Sequence, residues 1–410
     1  MKPWRNPRLR WFPVFVALET ARLTDTSSKP PVSLSELALV FLKLGTIAFG
    51  GPAAHIALME DEFVRKRHWI TEEDFLDRLA AANLIPGPSS TEVAIFIGHS
   101  LRGWLGLMVA GCCFIVPAAV LVTLIAAAYV RFGAVPQAEG ILRAIKPAVI
   151  AIIIQALWSL AKTASKTTTL ALIALASAVL NLAGVSPLAV VAFAGASSGA
   201  IWWIRKGWRN PVTLCWVGLS NALSPATHGA GAISGAAPFS FGRLFLSFLK
   251  IGSVVFGSGY VLLSFLRAEF VDHLHWLTEK QLIDSVAVGQ FTPGPVFTTA
   301  TFIGYVLGGF PGAILATLGI FAPGFVLVAA SGPLIPKIRR SPMAGATLDG
   351  VVVGSLGLMA VVTWQLGKAS VTDWLTVSIL VVSIIAIFRF RLNSAWLILG
   401  AAMVGWISGG

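Results

Sequence analysis

Long uncharged stretches alternate with short charged ones along this chain, and the alternation marks out its elements. Gly103–Val130 holds no Lys, Arg, Asp or Glu. Thr167–Ile204 is also uncharged, but Asn181-Leu-Ala-Gly-Val-Ser-Pro187 interrupts it. That predicts two helices and a tight turn, because about 20 residues cross a bilayer and a Gly/Ser/Pro cluster ends a helix. Ser285–Pro336 carries Gly308-Gly309-Phe310-Pro311 in its middle, and Gly350–Gly367, Trp374–Phe388 and Leu392–Gly410 complete the set. The span near Leu142–Ala161 has Arg143 and Lys146 close to its start.

The same pattern occurs twice. Phe41-Leu-Lys43-x-Gly45-x3-Phe49-Gly50 recurs 207 residues later as Phe248-Leu-Lys250-x-Gly252-x3-Phe256-Gly257. At that offset Glu62 matches Glu269, His68-Trp69 matches His275-Trp276, Asp77 matches Asp284, and Pro86-Gly87-Pro88 matches Pro293-Gly294-Pro295. After a one-residue deletion Gly98, Gly103, Gly106, Pro117 and Trp158 match Gly304, Gly309, Gly312, Pro323 and Trp364. Apolar residues match cheaply by chance; Pro, Gly, His-Trp and Glu in register do not. The chain divides into a lead (1–31) expected in the cytoplasm, a first repeat (32–205), a linker (206–242) with room for one weak span, and a second repeat (243–410).

Composition narrows the class. Of 410 residues 56% are hydrophobic and 12% charged, with a net charge of +12, and the mean hydropathy is +0.82. A soluble domain has about 25% charged residues, so an all-α polytopic membrane protein is predicted, bound to a lipid bilayer. The basic residues sit in short loops, which argues against a nucleic-acid partner and for the positive-inside rule. Six Lys and Arg precede Val32, and Arg102, Lys162 and Arg205 follow on the same predicted side; in the second half the bias reverses to Lys337, Arg339, Arg340, Arg389 and Arg391. Two inverted repeats of about six helices each follow, with one repeat expected to rock against the other to give alternating access. Cys112, Cys113 and Cys215 have no metal spacing and are expected to be small core residues. No metal site, cofactor, phosphate loop or dinucleotide fingerprint is found, so no enzyme and no catalytic residue is predicted.

The chemistry concentrates at two kinds of break. Phe49-Gly50-Gly51-Pro52 stops an apolar run early, as does Gly257 with its neighbours. Pro86-Gly87-Pro88 and Pro293-Gly294-Pro295 interrupt the next stretches, and broken or re-entrant helices are expected at both. A helix starting after each would aim free N–H groups and a positive dipole end at one point, which suits an anion. Ser89, Ser90, Thr298 and Thr299 would add hydroxyls, and Lys43 and Lys250 charge balance. Glu62, Glu92 and Glu269 are the candidate coupling residues. Glu92 has no acidic counterpart in the second half.

These residues resemble the chromate ion transporter family in its two-domain form. The likeness runs from about 36 to 410 and rests on Phe49-Gly50-Gly51-Pro52, Ala54-His55, Glu62-Phe63-Val64, Arg67, Trp69 and Leu84-Ile85-Pro86-Gly87-Pro88-Ser89-Ser90. In the second half it rests on Phe256-Gly257-x-Gly259-Tyr260-Val261-Leu262, Glu269, Trp276, Gly289-Gln290-Phe291-Thr292-Pro293-Gly294-Pro295-Val296 and Thr301-Phe302-Ile303-Gly304-Tyr305. The resemblance implies a secondary active carrier, an anion antiporter exporting chromate across the inner membrane of a prokaryote and giving chromate resistance. The implied substrate is a small oxyanion, chromate with sulfate as the alternative, and the coupling ion a proton. A passive anion channel is the reading from another class, and a homodimer the expected assembly.

Overall fold

The computed structural model describes residues 32–49, 51–132, 136–164, 167–206, 238–256, 261–331, 341–390, 392 and 394–408. Gly50, Gly257, Cys215 and the span proposed within the linker lie outside the described residues. Fourteen α-helices and no strand are found among those described. The first half contributes α1 (Leu34–Ile47), α2 (Gly51–Glu60), α3 (Glu72–Ala82), α4 (Ser89–Phe132), α5 (Pro136–Ala164), α6 (Thr168–Leu182) and α7 (Pro187–Lys206). The second repeats them as α8 (Phe241–Val254), α9 (Leu262–Leu266), α10 (Glu279–Phe291), α11 (Thr299–Ser331), α12 (Pro342–Ser370), α13 (Trp374–Phe390) and α14 (Ser394–Ser408).

The repeat holds down to local backbone. Thr71 caps α3 by accepting from the Asp74 N–H, and Thr278 caps α10 by accepting from the Gln281 N–H. A π-helical turn follows α2 at Asp61–Lys66 and follows α9 at Arg267–His273. Beyond each, His68 and His275 take the same left-handed conformation, with φ of 52° and 54°. The Trp beside each packs inward: Trp69 lies 5.6 Å from Phe63, and Trp276 lies 6.1 Å from Phe270, the counterpart of Phe63.

α4 and α11 are helical hairpins rather than rods. Arg102 and Gly103 leave helical geometry in α4, as Gly308 and Gly309 do in α11. A Cβ on Gly98 would overlap the Gly106 carbonyl, and one on Gly304 that of Gly312, so the arms meet backbone to backbone. The first arm of α4 (89–101) is about 20 Å long, too short to cross a bilayer, and the second (104–132) about 40 Å. Each second arm takes the first helix of its own half. Gly45 of α1 abuts the Phe114 carbonyl and Gly252 of α8 the Ile320 carbonyl, contacts that any larger side chain would block.

The last three helices of each half cross over. α12 packs on α6 and α7 of the first half, while α5 packs on α13 and α14 of the second. Along α12, Thr347 faces Gly199, Val351 faces Gly195 and Gly354 reaches the Val190 carbonyl, so α12 runs antiparallel to α7. Gly405 of α14 meets Gly140 and Ala144 of α5 in the matching way. Successive crossings reverse direction, so α7 runs with α5. α12, the counterpart of α5, therefore runs against it, and the repeats are inverted. The crossed packing also corrects one expectation. A whole repeat cannot rock as a rigid body against the other, because α5 is bound to the second half's helices and α12 to the first's.

Five helices, including both hairpins, are long and apolar enough to cross a membrane. Their outward faces carry large apolar side chains such as Trp104, Leu124, Leu318 and Val326, as a lipid-facing surface should. Cys113 is half-buried against the core around Phe114, as expected, whereas Cys112 is exposed on the outer face of α4, contrary to the core role expected.

Candidate functional site

The two Pro-Gly-Pro turns meet the two ends of the first helices, each in the opposite half. The Gly87 N–H donates to the Val255 carbonyl at 2.7 Å, and the Gly294 N–H donates to the Ala48 carbonyl at 2.9 Å. Val255 ends α8 and Ala48 ends α1. The two bonds are the same bond made twice, across the pseudo-twofold relation of the repeats. Both glycines have positive φ, 135° at Gly87 and 86° at Gly294. A Cβ at Gly294 would come within 2.6 Å of the Ala118 Cβ and 3.2 Å of the Gly45 carbonyl. Only glycine lets the turn sit this close to α1 and α4.

Helices begin directly after each turn. In α4 the Thr91 and Glu92 N–H groups donate back to the Pro88 carbonyl, at 2.7 and 3.1 Å. The N–H groups of Ser89 and Ser90 precede that first bond and lie at the positive end of the helix. In the second half Thr298 donates its N–H to Pro295 at 3.0 Å, leaving Val296 and Phe297 in the corresponding places. Ser89, Ser90, Thr298 and Thr299 are all buried. The Thr298 and Thr299 hydroxyls donate to the Pro295 and Val296 carbonyls, both at 2.8 Å. Gly51 opens α2 with φ 78°.

Glu92 is fully buried, and neither of its carboxylate oxygens has a hydrogen-bond partner among the described residues. Its Oε1 occupies the space a Cβ on Gly87 would need, and its Cγ lies 3.8 Å from the Cβ position of Gly324. The carboxylate is therefore set between one Pro-Gly-Pro turn and the second arm of α11. Thr91 beside it also has an unpaired hydroxyl. His55 completes this cluster: its ring nitrogens lie 3.3 Å from Ser90 Oγ and 3.0 Å from the Ala48 carbonyl. Sequence reasoning noted His55 only as part of a motif. The usable signal was Leu262 at its counterpart, an asymmetry inside an otherwise matched pair.

The remaining expected residues lie farther out. Lys43 is on the exposed face of α1, opposite the Gly45 side, and makes no ion pair among the described residues. Lys250 pairs with Glu269 at 2.6 Å, and Glu269 also accepts from Ser247 at 2.9 Å. Glu62 pairs with Arg67 at 2.8 Å, and Arg67 reaches on to Glu36 at 2.9 Å. These pairs pin the π-helical turns to α1 and α8. Long cationic side chains reach outward from such positions at little cost.

The halves differ around this centre. α10 packs on α11 of its own half, as α3 does on α4, and in addition lies against α5, α12 and α14. Leu282–Gln290 is buried throughout, while Glu72, Glu73, Asp74, Leu76 and Asp77 are exposed. Beside the end of α1 and along α2 a groove of about 600 Å³ is lined by Ile47, Phe49, Ala54, Leu58, Asp61 and Arg65. At the edge of the crossed helices, Asp373 takes the Thr376 N–H at 3.0 Å and the Arg143 guanidinium. Those two contacts, the backbone donor first, lower its carboxyl to about 2.

Known sequences resemble the chain over its length. The sequence pattern of the family described as "Chromate transporter" matches residues 35–199 and again 242–406. The chromate transport protein of Cupriavidus metallidurans is 31% identical over 393 residues, covering 95% of this chain and 97% of its own length. The probable chromate transport protein of Synechococcus elongatus is 30% identical, with 92% and 96% covered. The chromate transport protein of Pseudomonas aeruginosa is 28% identical, with 94% and 96% covered. No solved structure matches the chain.

Proposed function

The chain belongs to the chromate transporter family, a multi-pass membrane transporter rather than an enzyme, and on that premise we propose that it exports chromate across the cytoplasmic membrane as a secondary carrier conferring chromate resistance. The observation that carries this reading is the reciprocal docking of Gly87 on Val255 and Gly294 on Ala48. It brings two helix starts to one centre. Each carries roughly half a positive charge at its first turn. A tetrahedral dianion would take the N–H groups of Ser89, Ser90, Val296 and Phe297 and the Ser89 and Ser90 hydroxyls. Pro86, Pro88, Pro293 and Pro295 hold the turns, and Thr298 and Thr299 shape them. Gly51 opens α2 at the facing break of the first half, with φ 78°. Lys43 and Lys250 would raise the local anion concentration from their exposed faces.

Glu92 would couple the cycle to protons. An ionised carboxylate beside the turn competes with a dianion for the same donors and repels it. A proton on Glu92 removes both effects, so anion and proton travel together. Export still runs downhill electrically. Moving one charge across 100 mV is worth about 2.3 kcal/mol, so a dianion leaving a negative interior with one proton gains about that much, roughly fiftyfold at equilibrium. Glu62 and Glu269 would exchange ion-pair partners as α2 and α9 move.

Inverted membrane vesicles carrying the protein test this. We expect chromate uptake that sulfate partly blocks and a protonophore abolishes. With the potential clamped by potassium and valinomycin, uptake indifferent to a pH gradient would mean a channel. Sulfate flux without chromate flux would keep the site and discard the substrate.

A further inference from the structure

Asp284 is wholly buried and lies between the halves. Its Oδ1 is 3.0 Å from Lys146 Nζ, and its Oδ2 accepts from the Tyr129 hydroxyl at 3.0 Å. Tyr129 comes from the second arm of α4, Lys146 from α5 and Asp284 from α10, the helix that runs into Pro293-Gly294-Pro295. Lys146 has only 11% of its side chain exposed and Asp284 none. The repeat does not reproduce the cluster. Asp77 stands at the Asp284 position and is exposed, Val352 stands at that of Lys146 and Ile335 at that of Tyr129.

A static contact between two helix layers does not need this arrangement. Burying two charges costs about as much as their attraction returns, and apolar residues of similar size commonly serve better. The cluster is useful if it opens. α3, the counterpart of α10 in the inverted repeat, offers the exposed setting that α10 would take in the opposite access state. In that arrangement Asp284 becomes exposed, as Asp77 is here, and Lys146 stays on α5 without its carboxylate. A lone lysine in an apolar wall that has just become wet is an anion site.

We propose that Lys146 binds the transported oxyanion in the opposite access state, and that Asp284 is the internal anion holding that place while α10 is closed. The proposal rests on the oxyanion-transport reading above and adds a binding residue on α5 that the Pro-Gly-Pro centre does not contain. Substrate and Asp284 compete for one cation, so the dianion arriving at Lys146 is what keeps α10 from closing back. The neighbouring pair Lys280–Glu139, 3.0 Å apart on the same two helices, closes the exposed end of the contact.

Chromate uptake kinetics in inverted vesicles, at fixed pH and normalised to protein, test it. Lys146→Gln should raise KM at least tenfold, whereas Lys146→Arg, which keeps the charge, should stay within about threefold of wild type. Asp284→Asn should lower KM, because the competitor is gone. Lys146→Gln with Asp284→Asn should remain as poor as Lys146→Gln alone. Wild-type kinetics in that double variant would overturn the proposal and make the pair a structural bridge. So would an Asp284→Asn variant whose KM rises as far as that of Lys146→Gln. Absence of flux in wild type would refute the transport reading instead. Lys146 is then judged by thermal stabilisation of the purified protein with sulfate, expected to disappear in Lys146→Gln and to grow in Asp284→Asn. Equal stabilisation of all three would refute its role in binding.

Discussion

Replacing Gly294 by alanine is expected to damage transport far more than replacing Gly184, although the two share a backbone conformation. Gly184 has φ 89° and Gly294 φ 86°, so each alanine takes on a left-handed penalty of about 1–2 kcal/mol. Nothing lies within 4 Å of a Cβ at Gly184. At Gly294 the new methyl would sit 2.6 Å from the Ala118 Cβ and 3.2 Å from the Gly45 carbonyl. Ala118 is fully buried and has no direction of retreat. Forcing a methyl into such packing adds about 1–3 kcal/mol, and pushing the turn off Ala48 loses a hydrogen bond of about 1 kcal/mol. The difference between the variants is therefore about 2–4 kcal/mol, a shift of roughly 30- to 700-fold in the docked population. Initial chromate uptake per unit of protein measures it. Ala118→Gly in the Gly294→Ala background should recover most of the loss, since Gly324 already occupies the matching place in α11. Equal effects of the two single variants, or no recovery, would refute the claim that this close approach builds the site.

Glu92→Gln should leave chromate exchange intact and abolish its dependence on pH, measured as counterflow between pH 6 and 8. His55→Ala should cost about 1–3 kcal/mol by leaving buried polar partners short of a bond, read as a lower midpoint in detergent, and His55→Gln should restore part of it. The carboxyl of Asp373 is lowered to about 2 by the Thr376 N–H and the Arg143 guanidinium. Its stabilising effect is then complete above about pH 4 and fades as pH falls towards 2. Thermal unfolding of Asp373→Asn should show a lower midpoint than wild type at pH 6 and converge with it near pH 2.

Much of this architecture is written in punctuation. Pro86-Gly87-Pro88, Pro293-Gly294-Pro295, Gly103 and Gly309 mark breaks that no apolar helix would keep, and their common spacing exposes the repeat. The inversion is legible in loop charge, because Lys337, Arg339 and Arg340 oppose the near-absence of charge at the matching loop of the first half. Which helices meet is a different matter. Apolar faces of α6, α7 and α13 are chemically alike, so nothing in them names α12 or α5 as the partner. Lys146 was visible as a charge in an apolar span. Its carboxylate was not, since Asp284 reads as a plain match to the exposed Asp77. Lys43 and Lys250 are charges in apolar runs, yet both lie on outward faces, Lys250 paired there with Glu269, so neither touches the turns.

The crossing of the last helices has a consequence during synthesis. When the first half leaves the ribosome, α6 and α7 are in the bilayer with the face meant for α12 uncovered. At about 5–20 residues per second, α12 emerges on the order of 10 s later. For that interval the first half is an open-handed intermediate, stable only as far as lipid or a chaperone shields it. A chain cut between the halves leaves the exchange intact. Two half-chains made together are therefore expected to co-purify as one unit, while either half made alone leaves the partner face of its last helices open to lipid.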